Sequence, residues 1–258
     1  MAPRAKTLSL REQGFRPSAF PKLELCIHFK ARDGGEETPA AGRGHDLHEF
    51  FALVLAGEMK PEEIEDPESR ECIEWALSEI DARGIHVHYV EYELEIIDEQ
   101  GEVITTGTAD AWGVTKELWL IDAKSGDEYD YSAQFAGYAK SVMEEQRRDE
   151  CVFLLLYFDL RKAIEFEITY TEVAERVYAL HDRFVHRDEE EPQANQYCEW
   201  CANRGSCKVW LESSSKALTV AGQSPDLVYQ IEQIKKDPQR LADFYVAYKR
   251  LVKLFTEE

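Results

Sequence analysis

The spacing of apolar and polar positions divides the chain into a clear succession of elements. Leu47, Phe50, Phe51, Val54 and Leu55 recur at helical spacing and stop at Gly57, which predicts a first long helix. A Gly-rich loop from Asp33 to Gly44, broken by Pro39, is expected to precede it. A second helix is predicted from Asp66 as N-cap, with Pro67 in the first turn, to Gly84. From Ile85 to Ile97 the period changes to two, with Ile85, Val87, Tyr89 and Glu91 on one face and His86, His88, Val90 and Tyr92 on the other. This is a strand. Asp98-Glu99-Gln100-Gly101 supplies turn chemistry before a second strand from Val103 to Val114. A third runs from Leu118 to Lys124, and its Leu118, Trp119, Leu120 and Ile121 leave no polar face, the pattern of a strand buried on both sides. A helix from about Tyr131 to Gln146, a buried strand from Cys151 to Phe158, a strand from Ala163 to Thr169 and a helix from Thr171 to His186 follow. The order αα-βββ-α-ββ-α predicts an α/β domain, a mixed sheet flanked by helices. Pro225 to Phe255 reads as two charged amphipathic helices, so a core domain over 1–218 and a helical extension over 219–258 are expected.

Composition constrains the setting. The longest strongly apolar run, Val152 to Phe158, is far short of the roughly 20 residues that a membrane span needs, and the start MAPRAKTLSL lacks a signal-type apolar region. A soluble, cytoplasmic protein without membrane contact is expected. Six cysteines in such a chain point to metal ligation or free thiols rather than a disulfide framework. The formal net charge of −21 opposes a nucleic-acid partner, because phosphate is bound by Lys and Arg. The charge is uneven, however. Residues 1–32 hold seven basic residues (Arg4, Lys6, Arg11, Arg16, Lys22, Lys30, Arg32) against Glu12 and Glu24, and most of the acidity elsewhere reads as solvated surface.

Some of the acids carry candidate chemistry. Asp122 and Lys124 end the most buried strand, and side chains two apart on a strand emerge together. One strand earlier, Asp110 in Gly107-Thr108-Ala109-Asp110 falls where a neighbouring strand brings it against Asp122. Two carboxylates so placed repel, and a divalent cation between them is the usual resolution. Hard oxygen ligands suit Mg2+ or Mn2+, which acidifies water and neutralises charge on a phosphate undergoing hydrolysis. Asp110 and Asp122 are assigned as metal ligands, the Ala123 carbonyl as a third, and Lys124 as the group that orients the attacking water and stabilises the scissile phosphate. The competing reading is a structural ion pair between Asp122 and Lys124; by itself D-x-K is common.

Further motifs occur in order: G-x-x-x-H-E at Gly44 to Glu49, G-x-x-D at Gly107 to Asp110, D-x-K at Asp122 to Lys124 and Q-x-x-x-Y at Gln134 to Tyr138. On these the chain resembles the RecB-like PD-(D/E)XK nucleases. Each motif is weak alone, and their joint order in helix, strand, strand and helix contexts is stronger. The resemblance implies a restriction-endonuclease-like core, His48 as a metal ligand, and Gln134 and Tyr138 facing the DNA backbone near the site. His45 shares a helix face with His48 and reads as a polar residue at the helix start. Glu91 could add a carboxylate, although a solvated strand face explains Glu91, Glu93 and Glu95 equally well. His86, His88 and Tyr92 read as decoration of a sheet face.

The cysteines form a second constellation. Cys198-Glu-Trp-Cys201 followed by Cys207 is C-x2-C-x5-C, one thiolate short of a four-ligand site. In the iron–sulfur members of the family, the AddB-type helicase–nuclease subunits and CRISPR-associated RecB-like exonucleases, one cysteine precedes the nuclease motifs and three follow. The resemblance therefore implies Cys26 as the fourth ligand and a structural [4Fe-4S] cluster in a subdomain that staples both ends of the chain. Such a staple closes a loop of about 170 residues. Zinc on the same thiolates is the alternative, which local spacing leaves open. Cys72 and Cys151 read as small core residues. Arg204 and Lys208 flank the cluster and, with the basic N-terminus, could form a groove for strand ends. Trp200 and Trp210 read first as packing around the cluster, and as base-stacking groups only second.

These readings converge on a metal-dependent deoxyribonuclease, an exonuclease acting on DNA with free or single-stranded ends, with a protein partner possible at the C-terminal helices. The competing class is a metal-stapled nucleic-acid- or protein-binding module of nuclease-like fold without turnover.

Overall fold

The computed structural model describes residues 9–32, 39–126 and 128–212. The expected C-terminal helices and the boundary at 218/219 lie outside the described residues. The chain divides into two compact units: Met1–Glu24 with Gly34–His186, and Leu25–Asp33 with Arg187–Glu258.

In the first unit, α1 (Phe20–Leu25), α2 (Pro39–Leu55) and α3 (Pro67–Ala82) precede the strands. The Asp66 side chain caps α3 by accepting from Ser69 N, with Pro67 in the first turn, as the sequence predicts. α2 corrects an expectation: it begins at Pro39, inside the stretch read as a loop up to Gly44. The reason is tertiary. A Cβ on Gly44 would lie 2.5 Å from Ser125 Oγ, so the glycine admits a close approach of the helix to the strand end rather than breaking the helix.

The strands β1 (His86–Ile97), β2 (Val103–Val114), β3 (Leu118–Lys124), β4 (Glu150–Tyr157) and β5 (Lys162–Thr169) form one sheet in the order β1-β2-β3-β4-β5. All pairings are antiparallel except β3 with β4. That parallel pair needs a crossover, supplied by α4 (Ser132–Gln146), and α5 (Tyr170–Val185) follows β5. The fold is thus a mixed α/β architecture with a five-stranded mixed sheet flanked by helices.

One sheet face, through Ala111, Trp119, Ile121, Ala123, Leu154 and Leu156, packs in a single apolar cluster with Leu47 and Phe51 of α2 and with Ile73, Ala76 and Ile80 of α3. On the other, Phe135 of α4 stacks on Phe153 at 4.8 Å, and Phe153 on Phe166 at 5.0 Å. Both faces of β3 and β4 are therefore covered, which is why their sequences lack a polar face. Cys72 and Cys151 are buried, in keeping with a core role.

β1 departs from its two-faced alternation. The register shifts between Val87 and Tyr89, and Glu91 takes a left-handed φ of 49°. Regular inward burial is found only further along, at Leu94 and Ile96. Gly113 lies opposite the shift: a Cβ there would meet the His86 carbonyl oxygen at 2.2 Å, so the bulge requires glycine.

In the second unit the segment from Leu25 to Asp33 pairs with the cysteine loop. Ala31 forms an antiparallel bridge with Cys201, Ala202 N donates to Lys30 O at 2.8 Å, and the Arg32 guanidinium donates to Glu199 O at 3.0 Å.

Candidate active site and cysteine cavity

Antiparallel pairing of Ala111 with Ile121 sets Asp110 on β2 beside Asp122 on β3. Asp110 Oδ2 accepts from the Ala123 backbone N at 2.9 Å and lies 3.4 Å from His48 Nδ1 on α2. The Ala123 backbone N–H thus supports the Asp110 carboxylate directly. Asp122 is 4 % exposed, and Lys124 Nζ lies 2.5 Å from its Oδ2. Beyond that ion pair, no further donor reaches either oxygen of Asp122 among the described residues. The ion pair that competed with the metal reading is thus present, and it leaves the buried carboxylate short of donors.

The two acids titrate in opposite directions. Burial pushes Asp122 up to about 6, with Lys124 opposing the rise and Asp110 adding to it. Burial also acts to raise Asp110, but the hydrogen bond from His48, the charges of Lys124 and His48 and the Ala123 N–H hold it below the usual carboxylate range. Burial works against a protonated His48, and the hydrogen bond and charge of Asp110 outweigh it, so its pKa rises. Lys124 rises as well, because Asp122 and Asp110 outweigh its desolvation. A pair of buried acids with divergent pKa values beside a retained ammonium is an arrangement suited to charge chemistry on an anionic substrate.

Gln134 and Tyr138 lie one turn apart on α4, and Gln134 Nε2 donates to the Tyr138 hydroxyl at 3.1 Å. Both are buried, and the Tyr138 phenol is pushed up to about 12, first by burial and then by the charge of Asp122. They stand near the acids, enclosed rather than presented on an open face.

His48, Asp110, Asp122 and Lys124 are thus neighbours, while their donor atoms do not close into one tight set. Among the described residues, the one group of three metal-type ligands within 4.8 Å of one another is His45, Asp46 and Glu49, all exposed on α2. Exposed acidic groups of this kind are common without an ion. Nonetheless His45, read from sequence as a bystander, has acidic company on its own helix.

Cys26, Cys198, Cys201 and Cys207 line a single cavity of about 210 Å³ in the second unit, together with His28, Arg204 and Trp210. None of the four is in a disulfide. Asn195 caps the short helical turn Gln196–Trp200 by accepting from Tyr197 N, and its own N–H points at Cys198 Sγ, 3.3 Å away. No three of the four sulfurs lie within 4.8 Å of one another. Four cysteines around one small cavity offer soft donors that suit zinc or an iron–sulfur group. Of the aromatics expected there, Trp210 is buried against the cavity and Trp200 is exposed. Arg204 donates to Glu199 O at 3.1 Å, and the exposed Lys208 lies 4.0 Å from Glu212.

Comparison with known proteins gives only distant likenesses, which carry no argument about this chain. No protein-family model matches the sequence, and no curated protein is significantly similar to it. Among solved structures, the chain is similar to a protein titled SSO0001, with 17% identity and a TM-score of 0.40 over 67% of this chain and 72% of that one. It is similar to an alkaline exonuclease from Laribacter hongkongensis, with 17% identity and a TM-score of 0.30 over 59% and 84%. A phage-related exonuclease from Haemophilus somnus 129PT gives 14% identity and a TM-score of 0.29 over 67% and 95%. At TM-scores this low the likeness carries no residue roles to this chain.

Of the two readings of Glu91, a further carboxylate or a solvated strand face, the register places it opposite Asp110, and its carboxyl is raised by burial and then by the charge of Asp110. Its backbone is left-handed, with a φ of 49°, and the residue as a whole is exposed.

No described helix is long and apolar enough to cross a membrane.

Proposed function

We propose that this protein is a metal-dependent DNA nuclease of the RecB-like PD-(D/E)XK type, hydrolysing phosphodiester bonds from free or single-stranded ends. The observation that carries the reading is the buried Asp122 carboxylate beside a second acid, with Lys124 Nζ 2.5 Å away as its one charged neighbour of opposite sign. Such a group calls for a cation, and its hard oxygens select Mg2+ or Mn2+. Asp110, Asp122 and His48 would hold the ion, with the Ala123 carbonyl as a further candidate. When bound, that ion supplies positive charge at the scissile phosphate and lowers the pKa of water.

The chain's own groups do the rest. Lys124, whose neighbours keep it protonated, orients the attacking water and stabilises charge on the phosphate oxygens. His48 holds Asp110 ionised through their contact. The Gln134–Tyr138 pair borders the acids and positions the strand through the residues that cover it, or directly once substrate opens the face.

The shared cavity of Cys26, Cys198, Cys201 and Cys207 supports a structural [4Fe-4S] cluster in the second unit, with zinc on the same thiolates as the alternative. The segment beyond 218, expected from its sequence pattern to be helical, is proposed as the seat of a protein partner. A binding module without turnover is the competing reading, favoured by the net charge of −21 and opposed by the intact Asp110, Asp122 and Lys124.

Incubating purified protein with end-labelled DNA and Mn2+, beside Asp122→Ala, separates the two readings. Label release by the native protein alone supports catalysis. Its absence from cluster-loaded protein sinks the enzyme reading.

A further inference from the structure

On the α4 face of the sheet, a cavity of about 550 Å³ opens against Tyr131, the ring that Lys124 Nζ approaches. Its volume falls within the roughly 300–1,000 Å³ of small-ligand clefts. Tyr129, Tyr131 and Tyr157 line it with Phe135 and Phe166, over a floor that includes Leu155 and Ile164. The site is built: the Tyr157 hydroxyl donates to Tyr129 O at 2.9 Å, tying the loop before α4 to β4, and Phe166 belongs to the aromatic stack with Phe153. Tyr129 is 38 % exposed, so part of the aromatic surface faces solvent.

Two observations identify an occupant. First, Lys124 Nζ lies 4.9 Å from the centroid of the Tyr131 ring, so the ammonium assigned to the phosphate borders the aromatic cavity. Second, the charged groups in the cavity wall are acidic: Glu128, paired with Lys162 at 2.5 Å, and Asp130, one of whose oxygens accepts from Ser132 N at 2.9 Å. A phosphate would be repelled there. A nucleobase would not, since it is flat, uncharged and carries amino groups that carboxylates accept from.

We propose that this cavity is a nucleobase subsite: it stacks the base of the nucleotide whose phosphate lies at Lys124, and so holds single-stranded DNA in register with the acid pair. The proposal rests on the nuclease reading above. It accounts for how so acidic a chain grips DNA near its site, through aromatic stacking instead of a basic groove.

The test uses the full chain in Ca2+ and fluorescence anisotropy, with a short single-stranded oligonucleotide and its counterpart made of abasic sugar-phosphates. Mn2+-dependent hydrolysis of both is followed in parallel. Native protein should bind the base-bearing strand roughly tenfold tighter than the abasic one. Tyr129→Ala should lose most of that ratio, and Tyr129→Phe, which keeps the ring, should restore it. An undiminished ratio in Tyr129→Ala overturns the subsite. Hydrolysis of both strands without base dependence also overturns it while leaving the nuclease reading intact. Protein that neither binds nor hydrolyses either strand overturns both.

Discussion

The buried acid pair imposes a pH dependence on metal-free folding that an Asp122→Asn variant should lack. Asp122 titrates near 3.8 in an ordinary setting and is pushed to about 6 here by burial, with Asp110 adding and Lys124 opposing. Between those values the folded protein holds this proton more tightly than the unfolded chain does. Stability from the group is therefore fully present below the unfolded value and falls as pH rises through the folded one. At about 1.4 kcal/mol per unit, the loss approaches 3 kcal/mol by neutral pH, or roughly 6–12 °C in Tm for a chain of this size. Urea unfolding in EDTA across this pH range, for native protein and Asp122→Asn, isolates the effect. The comparison is of slopes, so any constant cost of the Asn amide, or of Lys124 losing its partner, drops out. Saturating Mn2+ should flatten the native profile, because a cation at the acids stabilises their ionised forms. Parallel profiles for the two proteins in EDTA would refute the reasoning.

Three other perturbations follow from the geometry. Lys124→Met should lower hydrolysis of end-labelled DNA by roughly 100-fold or more while Mn2+ still binds, since it removes the charge beside Asp122; an unchanged rate would strip Lys124 of its role. Gly113→Ala should cost about 3 kcal/mol or more in urea unfolding, because its Cβ would lie 2.2 Å from the His86 carbonyl oxygen. Gly205→Ala, with nothing within 4 Å of its Cβ, should be nearly neutral, and equal costs at the two positions would contradict the bulge. Protein purified anaerobically should be coloured and contain iron and sulfide, both lost in Cys207→Ala, whereas colourless zinc-bearing protein would eliminate the cluster.

Much of this protein is determined locally, and that part the sequence discloses. The change of period from 3.6 to 2 at Ile85, the apolar β3 and the Asp66-Pro67 cap mark elements through their own residues, because helix faces, strand faces and caps depend on neighbours a few positions away. The D-x-K at the end of β3 is legible for the same reason: charges that close a buried run stand out.

Other features depend on contacts distant in sequence. α2 begins at Pro39 and runs through Gly44, where a Cβ would lie 2.5 Å from Ser125 Oγ, a contact that the local sequence does not announce. Glu91 falls opposite Asp110 because of the β1–β2 register, which pairs Val90 with Ala111 and Tyr92 with Ala109, a pairing absent from the alternation of β1. Cys26 reaches the other cysteines through the bridge of Ala31 to Cys201, so four residues scattered over the sequence share one cavity. The aromatic cavity that Tyr131 lines is assembled from α4, the loop before it, β4 and β5, none of which carries an aromatic motif of its own. Sequence periodicity determines which residues face inward; only the packed sheet decides which of them meet, since contact is set by register and by the space that glycine leaves open.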